Sequence, residues 1–183
     1  EDLQNNILRT VGSPEERFSE DYLRIIRAAR FQSRLDLRLA PGLKKAAENL
    51  AGKIMKHVSI ERITDELKKA QAHGRKFIEC SKNLGYLKFV LPEHLELNEL
   101  QYANWLNEIA CSEKLSEMQF FAALFLPLNS PNVNKLARKF KLSNQITKGL
   151  VLFEKHKNAF NQAKISATSL RRLKLDLRNY FDE

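Results

Sequence analysis

Leu8-Arg9-Thr10-Val11-Gly12-Ser13-Pro14-Glu15-Glu16-Arg17-Phe18-Ser19-Glu20-Asp21-Tyr22-Leu23-Arg24-Ile25-Ile26-Arg27-Ala28-Ala29-Arg30-Phe31 is the stretch whose reading decides the fold. Gly12 and Pro14 break an opening turn. Ser19 then stands before Glu20-Asp21, a hydroxyl N-cap followed by acid in the first turn. From there to about Leu35 the spacing predicts a helix. Leu23, Ile26 and the aliphatic stem of Arg30 share its apolar side, and the other arginines face elsewhere.

Working outward, Pro41-Gly42 ends the connection, and further helices are predicted over 43–51, from the Ser59 cap to His73-Gly74, and over 76–84, where Gly85 stops the chain. An apolar segment at Leu87-Val90-Leu91 is broken by Pro92. Helices over 95–111, 116–126, 133–140, 143–163 and 167–180 complete the series. No segment alternates as a half-buried strand does. Six Gly and five Pro are too few for a turn-rich β protein, and Leu, Lys, Ala, Glu and Arg are abundant. The predicted fold class is therefore all-α, a multi-helix array. The 183 residues suffice for one domain or two small ones with a real core.

A net charge of +9 points to a polyanionic partner, most often nucleic acid. Residues 1–40 balance to zero, 41–90 and 135–183 are strongly basic, and 91–134 set six glutamates against Lys114 alone. Two basic stretches thus flank an acidic one. No apolar run is long enough to span a membrane and no signal-peptide pattern is present, so a cytoplasmic protein with no membrane partner is expected. Cys80 and Cys111 lie outside any CxxC or Cys/His cluster, and His57, His73, His94 and His156 are scattered, so no metal site is expected in this chain.

Glu20, Arg24 and Arg27 stand at offsets of four and seven, on one face of the predicted helix, and Asp21 borders that face. A carboxylate offers acceptors and a guanidinium offers a planar fork of donors. Together they match a mixed donor–acceptor edge. By itself the same pattern also describes N-terminal acids and i, i+4 pairs on a solvated helix.

Two motifs in order carry a resemblance. Asp2-Leu3 with Leu8-Arg9-x-Val11-Gly12 and Arg17-Phe18 resembles the hinge between head and neck in the class II CCA-adding tRNA nucleotidyltransferases and bacterial poly(A) polymerases. Glu20-Asp21-x-x-Arg24, continued by Arg27-Ala28-x-Arg30-Phe31, resembles their nucleotide-selecting motif on the first neck helix. Val58-Ser59-Ile60-Glu61-Arg62-Ile63 with Glu66-Leu67 resembles the helix that packs beneath it. Leu91-Pro92-Glu93 and, more weakly, Lys141-Leu142-Ser143-Asn144 also match family features. The resemblance is dense over about the first hundred residues and thin beyond them. Two departures stand out: Tyr22 where relatives often have Pro or Ala, and Asp36 where they commonly have Gly.

The resemblance implies an all-α neck and body: 1–18 a hinge remnant from the head domain, 19–92 the neck, 93–183 the body and start of a tail. It implies one pocket that selects CTP and ATP without a nucleic-acid template. Asp21 and Arg24 would read the Watson–Crick edge, Glu20 would brace Arg24, and Arg27 would support the pocket or meet phosphate. Glu61-Arg62 reads as a buried or semi-buried brace for the first neck helix. Family catalysis uses two carboxylates that hold Mg²⁺ beside a Gly-rich loop on a head domain. This chain has no Asp-x-Asp and no such loop. The expectation is a base-selecting, RNA-holding part with no catalytic residue of its own, inactive alone and dependent on a head domain in cis or in trans. Its partners would be CTP, ATP and the 3′ end of tRNA or another RNA.

Lys135, Arg138, Lys139 and Lys141, with Arg171 and Arg172, form a basic series able to track an RNA backbone. Trp105, Tyr102, Phe120, Phe121 and Phe125 read as core. Within the family reading CCA addition leads, with poly(A) synthesis or partial CC or A addition as alternatives. A non-catalytic all-α RNA-binding module and a basic helical protein–protein adaptor are the rivals from other classes.

Overall fold

A computed structural model describes residues 2, 4–92, 100, 116–125 and 133–161. The elements in chain order are β1 (Ile7–Leu8), α1 (Pro14–Glu20), α2 (Leu23–Leu35), β2 (Arg38–Leu39), α3 (Leu43–Leu50), α4 (Ile54–His57), α5 (Ile60–Ala70), α6 (Gly74–Asn83), α7 (Leu87–Val90), α8 (Glu117–Phe125), α9 (Val133–Lys139) and α10 (Asn144–Asn161). Single 3₁₀ turns at Ala51–Lys53 and Gln71–His73 lead into α4 and α6. The all-α reading holds. Among the described residues its one addition is a two-residue parallel pairing of β1 with β2, Ile7 opposite Arg38 and Leu8 opposite Leu39.

The first helical boundary differs from the sequence reading. Ser19 does not cap a helix but lies inside α1, which starts at Pro14 behind Ser13. Ser13 has extended backbone and its Oγ accepts from the Glu16 amide; proline follows at the first helical position and Glu15 and Glu16 fill the first turn. The chain then breaks at Asp21, whose φ of −152° and ψ of 103° are extended. Glu20 therefore closes α1 while Arg24 is the second residue of α2, so they do not lie on one continuous helix. His73-Gly74 marks a junction, as expected: the 3₁₀ turn that follows α5 ends at His73, and the buried Gly74 begins α6 earlier than Lys76. The segments predicted as helices over 95–111 and 167–180 lie outside the described residues.

The chain divides into two compact units, Glu1–Ser130 and Pro131–Glu183. In the first, α2 is the central element, packed against α5 and α6, while α1 lies on α3. Leu23, Ile25, Ile26, Ala28 and Ala29 of α2 are buried with Phe18, Leu43, Ile54, Phe77 and Tyr86. Phe120, Phe121 and Phe125 of α8 are fully buried, as predicted. Gly85 has φ +75° and follows Leu84, whose amide bonds back to the Cys80 carbonyl, so the glycine supplies the left-handed residue that ends α6. In the second unit α9 packs on α10 through Val133, Leu136 and Ala137. Among the described residues no helix is long and apolar enough to cross a membrane.

Candidate nucleotide-binding cleft

The extended Asp21 residue creates the site's geometry. Its Oδ1 accepts from the amide of Leu23, the first residue of α2, at 3.1 Å, so this carboxylate, one residue before the Tyr22 cap position, and not Ser19, ties down the start of α2. Its Oδ2 accepts from Arg62 Nη2 of α5 at 2.8 Å. Partial burial would raise the Asp21 carboxyl; the hydrogen bonds from Arg62 and the Leu23 amide outweigh it and hold the group below its ordinary value. Asp21 is ionised at neutral pH and anchored at a fixed place. Arg62 acts as a brace, as expected of the Glu61-Arg62 pair, but from the surface: both residues are exposed.

Glu20 meets Arg24 across the helix break, Oε2 to Nη1 at 3.0 Å, and also receives Arg17 Nη1 at 2.9 Å. The Arg17 hydrogen bond, with the nearby Arg24 charge, holds its carboxyl below the ordinary range. Arg17 Nε donates to the Val11 carbonyl at 2.7 Å, which ties the preceding segment to α1. Arg24 is thus held from one side by Glu20, the bracing relation read from sequence, although the two side chains come from different helices.

Beneath α2 the buried counterpart of these pairs is Arg30 Nε to Glu66 Oε2 at 2.6 Å, with Lys69 on the other Glu66 oxygen at 3.3 Å. Arg30 therefore does more than lend an apolar stem to the core: its head carries an ion pair. Its guanidinium carbon also lies 4.4 Å from the centre of the Phe31 ring.

A cleft of about 350 Å³ opens along one side of α2. Arg24, Arg27, Ala28 and Phe31 line it, the i, i+3, i+4, i+7 stripe of one helix face. Leu8, Arg9 and Thr10 from the β1 segment, with Phe18 and Leu43, complete the wall. The result is an apolar floor with three guanidinium side chains at its walls, suited to a flat, partly polar ring that carries an anionic tail.

Of the residues singled out from sequence, the structure brings Arg24 and Arg27 into the cleft and Glu20 against Arg24. Asp21 is not among the lining residues; it sits at the head of the same helix, turned to Arg62. Phe31, Ala28 and Arg9 were quoted in the motifs without a role in the pocket; the i+7 spacing from Arg24 could have found Phe31. Lys135, Arg138 and Lys141 are exposed on and after α9 in the second unit, and Lys139 Nζ lies 5.4 Å from the Phe140 ring centre. Arg171 and Arg172 lie outside the described residues. Among the described residues no three His, Cys, Asp or Glu side chains are placed to hold a metal ion.

No family model matches the chain. It is similar to the CCA-adding enzyme of Streptococcus gordonii, 33% identical over 150 residues, which are 81% of this chain and 37% of that protein. It is similar to the CCA-adding enzyme of Streptococcus sanguinis, 36% identical over 151 residues, again 81% and 37% of the two chains. Among solved structures, the crystal structure of the Bacillus stearothermophilus CCA-adding enzyme in complex with CTP superposes with a TM-score of 0.68 at 27% identity, covering 85% of this chain and 39% of that one. The chain spans little more than a third of the length of these relatives.

Proposed function

Over the region it spans, this chain is homologous to the CCA-adding enzymes, and we propose that it is the base-selecting and RNA-holding part of an RNA 3′-terminal nucleotidyltransferase that adds CCA, or part of it, to tRNA. In this reading residues 1–18 are the hinge, 19–92 the neck and 93–183 the body. The observation that carries the proposal is the cleft wall: Arg24 and Arg27 stand over the Phe31 and Ala28 floor, and an ionised Asp21 heads the same helix.

The chemistry of base choice follows from the two end groups. Cytosine and adenine each present an exocyclic amine beside an unprotonated ring nitrogen. The Arg24 fork, on the cleft wall, donates to the ring nitrogen; the amine is assigned to Asp21, which stands at the head of α2 outside the lining residues and keeps a further lone pair on each oxygen beyond its bonds to the Leu23 amide and Arg62. Uracil and guanine present a carbonyl beside a ring N–H, which opposes both groups. Glu20 keeps Arg24 aimed, Arg62 keeps Asp21 placed, Phe31 supplies apolar contact for the base, and Arg27 faces the phosphates. Lysine at position 24 would keep the charge and lose the fork.

Mg²⁺ held by a head domain, in cis or in trans, would supply activation of the attacking 3′-hydroxyl; the described residues of this chain do not fit a metal, and no step is assigned to one within it. Lys135, Arg138, Lys139 and Lys141 of the second unit, with Arg171 and Arg172, are assigned to the RNA backbone.

The test uses the longest polypeptide that contains this chain, with tRNA lacking its 3′ end, Mg²⁺, and CTP and ATP separately and together. A short C-then-A tail, with base choice spoiled in Arg24→Ala and Arg24→Lys, is expected. A long tail from ATP alone would replace the reading by poly(A) synthesis, and no addition under any condition would overturn the enzyme reading.

A further inference from the structure

A second surface of the first unit combines an exposed aromatic ring with cations. The 3₁₀ turn Ala51–Lys53 and α4 turn Ala51, Ile54 and Val58 inward and leave Lys53, Met55 and Lys56 exposed. α7 packs beside α4, and the Phe89 ring lies against Gly52: a Cβ built on Gly52 would stand 3.5 Å from Phe89 Cζ. Even so Phe89 remains 38% exposed, and Met55 37%. Met55 and Lys56 follow Gly52 at three and four positions, so they share the side of the turn that meets the ring. Lys88 Nζ lies 5.2 Å from the Phe89 ring centre.

The charge of this surface is one-sided. Residues 49–60 and 80–92 hold Lys53, Lys56, Lys82 and Lys88 and no acid. Among the described residues Lys53, Lys56 and Lys88 have no carboxylate partner, whereas Lys44, Lys68, Lys69 and Lys76 each do. An exposed ring with Lys88 beside it, and two further uncompensated cations on the turn and helix that pack against it, matches the recognition of single-stranded nucleic acid, in which a base stacks on the ring and flanking phosphates meet the lysines. An apolar protein partner would leave the lysines uncompensated.

We propose that the surface formed by Lys53, Met55, Lys56, Lys88 and Phe89 is a contact site for single-stranded RNA, one base stacked on Phe89 and its neighbouring phosphates on Lys56 and Lys88. It shares no residue with the lining of the α2 cleft. The proposal rests on the RNA-holding part of the function above.

The experiment titrates the full chain with a short fluorescein-labelled single-stranded oligoribonucleotide over a series of salt concentrations, for wild type, Phe89→Leu, Phe89→Tyr and Lys56→Ala/Lys88→Ala. Leucine keeps apolar area without a stacking face, and tyrosine keeps the face. Phe89→Leu is expected to weaken binding by about tenfold and Phe89→Tyr by less than about twofold. The lysine pair is expected to flatten the slope of log affinity against log salt by about 1.4. Wild-type binding by Phe89→Leu, or an unchanged slope in the lysine variant, would overturn the site while leaving the nucleotide-selecting role of Arg24 standing. Absence of RNA binding by the wild-type chain at every salt would remove the RNA-holding role as well. Self-association abolished by Phe89→Lys, with RNA affinity unchanged, would make the patch a contact between copies and overturn the proposal.

Discussion

Arg62 on α5 donates from Nη2 to the Asp21 carboxylate at 2.8 Å, across 41 positions of sequence. The bond joins the residue that heads α2 to the helix packed beneath it. Arg62→Ala is therefore expected to raise the Asp21 carboxyl toward its ordinary value, because partial burial remains and its largest stabilising partner is gone. The folded value of Asp21 is depressed, so its contribution to stability is present above the unfolded value and is lost as pH falls through the folded one. The variant should retain less of that contribution at neutral pH, by under about 1 kcal/mol for so exposed a pair. A carboxyl-carbon NMR titration reads the shift; an unchanged Asp21 titration in the variant would show that Arg62 does not hold it.

The Arg30–Glu66 pair is a different case, with side chains only 11% and 5% exposed. Removing one partner leaves a buried charge without compensation. Glu66→Ala is expected to cost about 3–5 kcal/mol, and the apolar double replacement Arg30→Met/Glu66→Leu should recover most of it. Urea unfolding midpoints measure both. A Glu66→Ala loss below about 1 kcal/mol would mean that Arg30 swings out to water.

Phe31 forms the cleft floor and carries the Arg30 guanidinium at 4.4 Å and that of Arg27 at 5.9 Å. Phe31→Ala should weaken CTP and ATP binding together, by about fivefold to tenfold, without changing the choice between them. Arg24→Ala should change the choice. Calorimetric titration of both nucleotides separates the two effects.

Ser81 Oγ donates to the Phe77 carbonyl at 2.6 Å and so accepts from the Tyr86 hydroxyl at 2.6 Å. Ser81→Ala leaves the fully buried Tyr86 hydroxyl unsatisfied and is expected to cost about 1–3 kcal/mol; adding Tyr86→Phe should return most of the loss. Thermal unfolding of the single and double variants tests this.

Burial pushes the Tyr86 phenol well above its ordinary value and the Cys80 thiol up to about 11. Both folded values are raised, so the stability they contribute is present below the unfolded values and is lost as pH rises through the folded ones. Stability should fall above about pH 9, where an exposed Cys begins to ionise, and Cys80 should alkylate slowly near neutral pH. Rapid alkylation in the folded chain at neutral pH would contradict the burial.

Asp36 adopts φ +53° and ψ +45° after the last turn of α2, a left-handed position of the kind glycine fills most easily. Aspartate tolerates this region and places its carboxylate 2.6 Å from Lys76 Nζ. Asp36→Gly is expected to be within about 1 kcal/mol of neutral, whereas Asp36→Val should cost about 1–2 kcal/mol. Equal melting temperatures for the two variants would contradict the strained assignment.

Helix content was legible in the sequence because it depends on local signals. Pro41-Gly42, Gly85 with its positive φ, and the apolar spacing of α5 and α8 placed elements to within a few residues. The misplaced start of α2 shows where local signals compete. Ser13-Pro14-Glu15-Glu16 and Ser19-Glu20-Asp21 are both credible helix starts, and both were compatible with the same run of residues. The chain uses the first to start α1 and breaks at Asp21, where the carboxylate gains two partners: the Leu23 amide next to it and Arg62 on another helix.

By itself the sequence determined the helical class and set Arg24 and Arg27 on one face; the same spacing continues that stripe to Ala28 and Phe31, whose place in the cleft was not read from it. These follow from a repeat of 3.6 residues per turn, which acts over a few positions. Only the tertiary structure decided which carboxylate each arginine meets. Arg30 finds Glu66 and Arg62 finds Asp21 because α2 lies on α5, and that packing is set by burial of Ile25, Ile26, Ile63 and Leu67, an attraction without direction that no local spacing encodes.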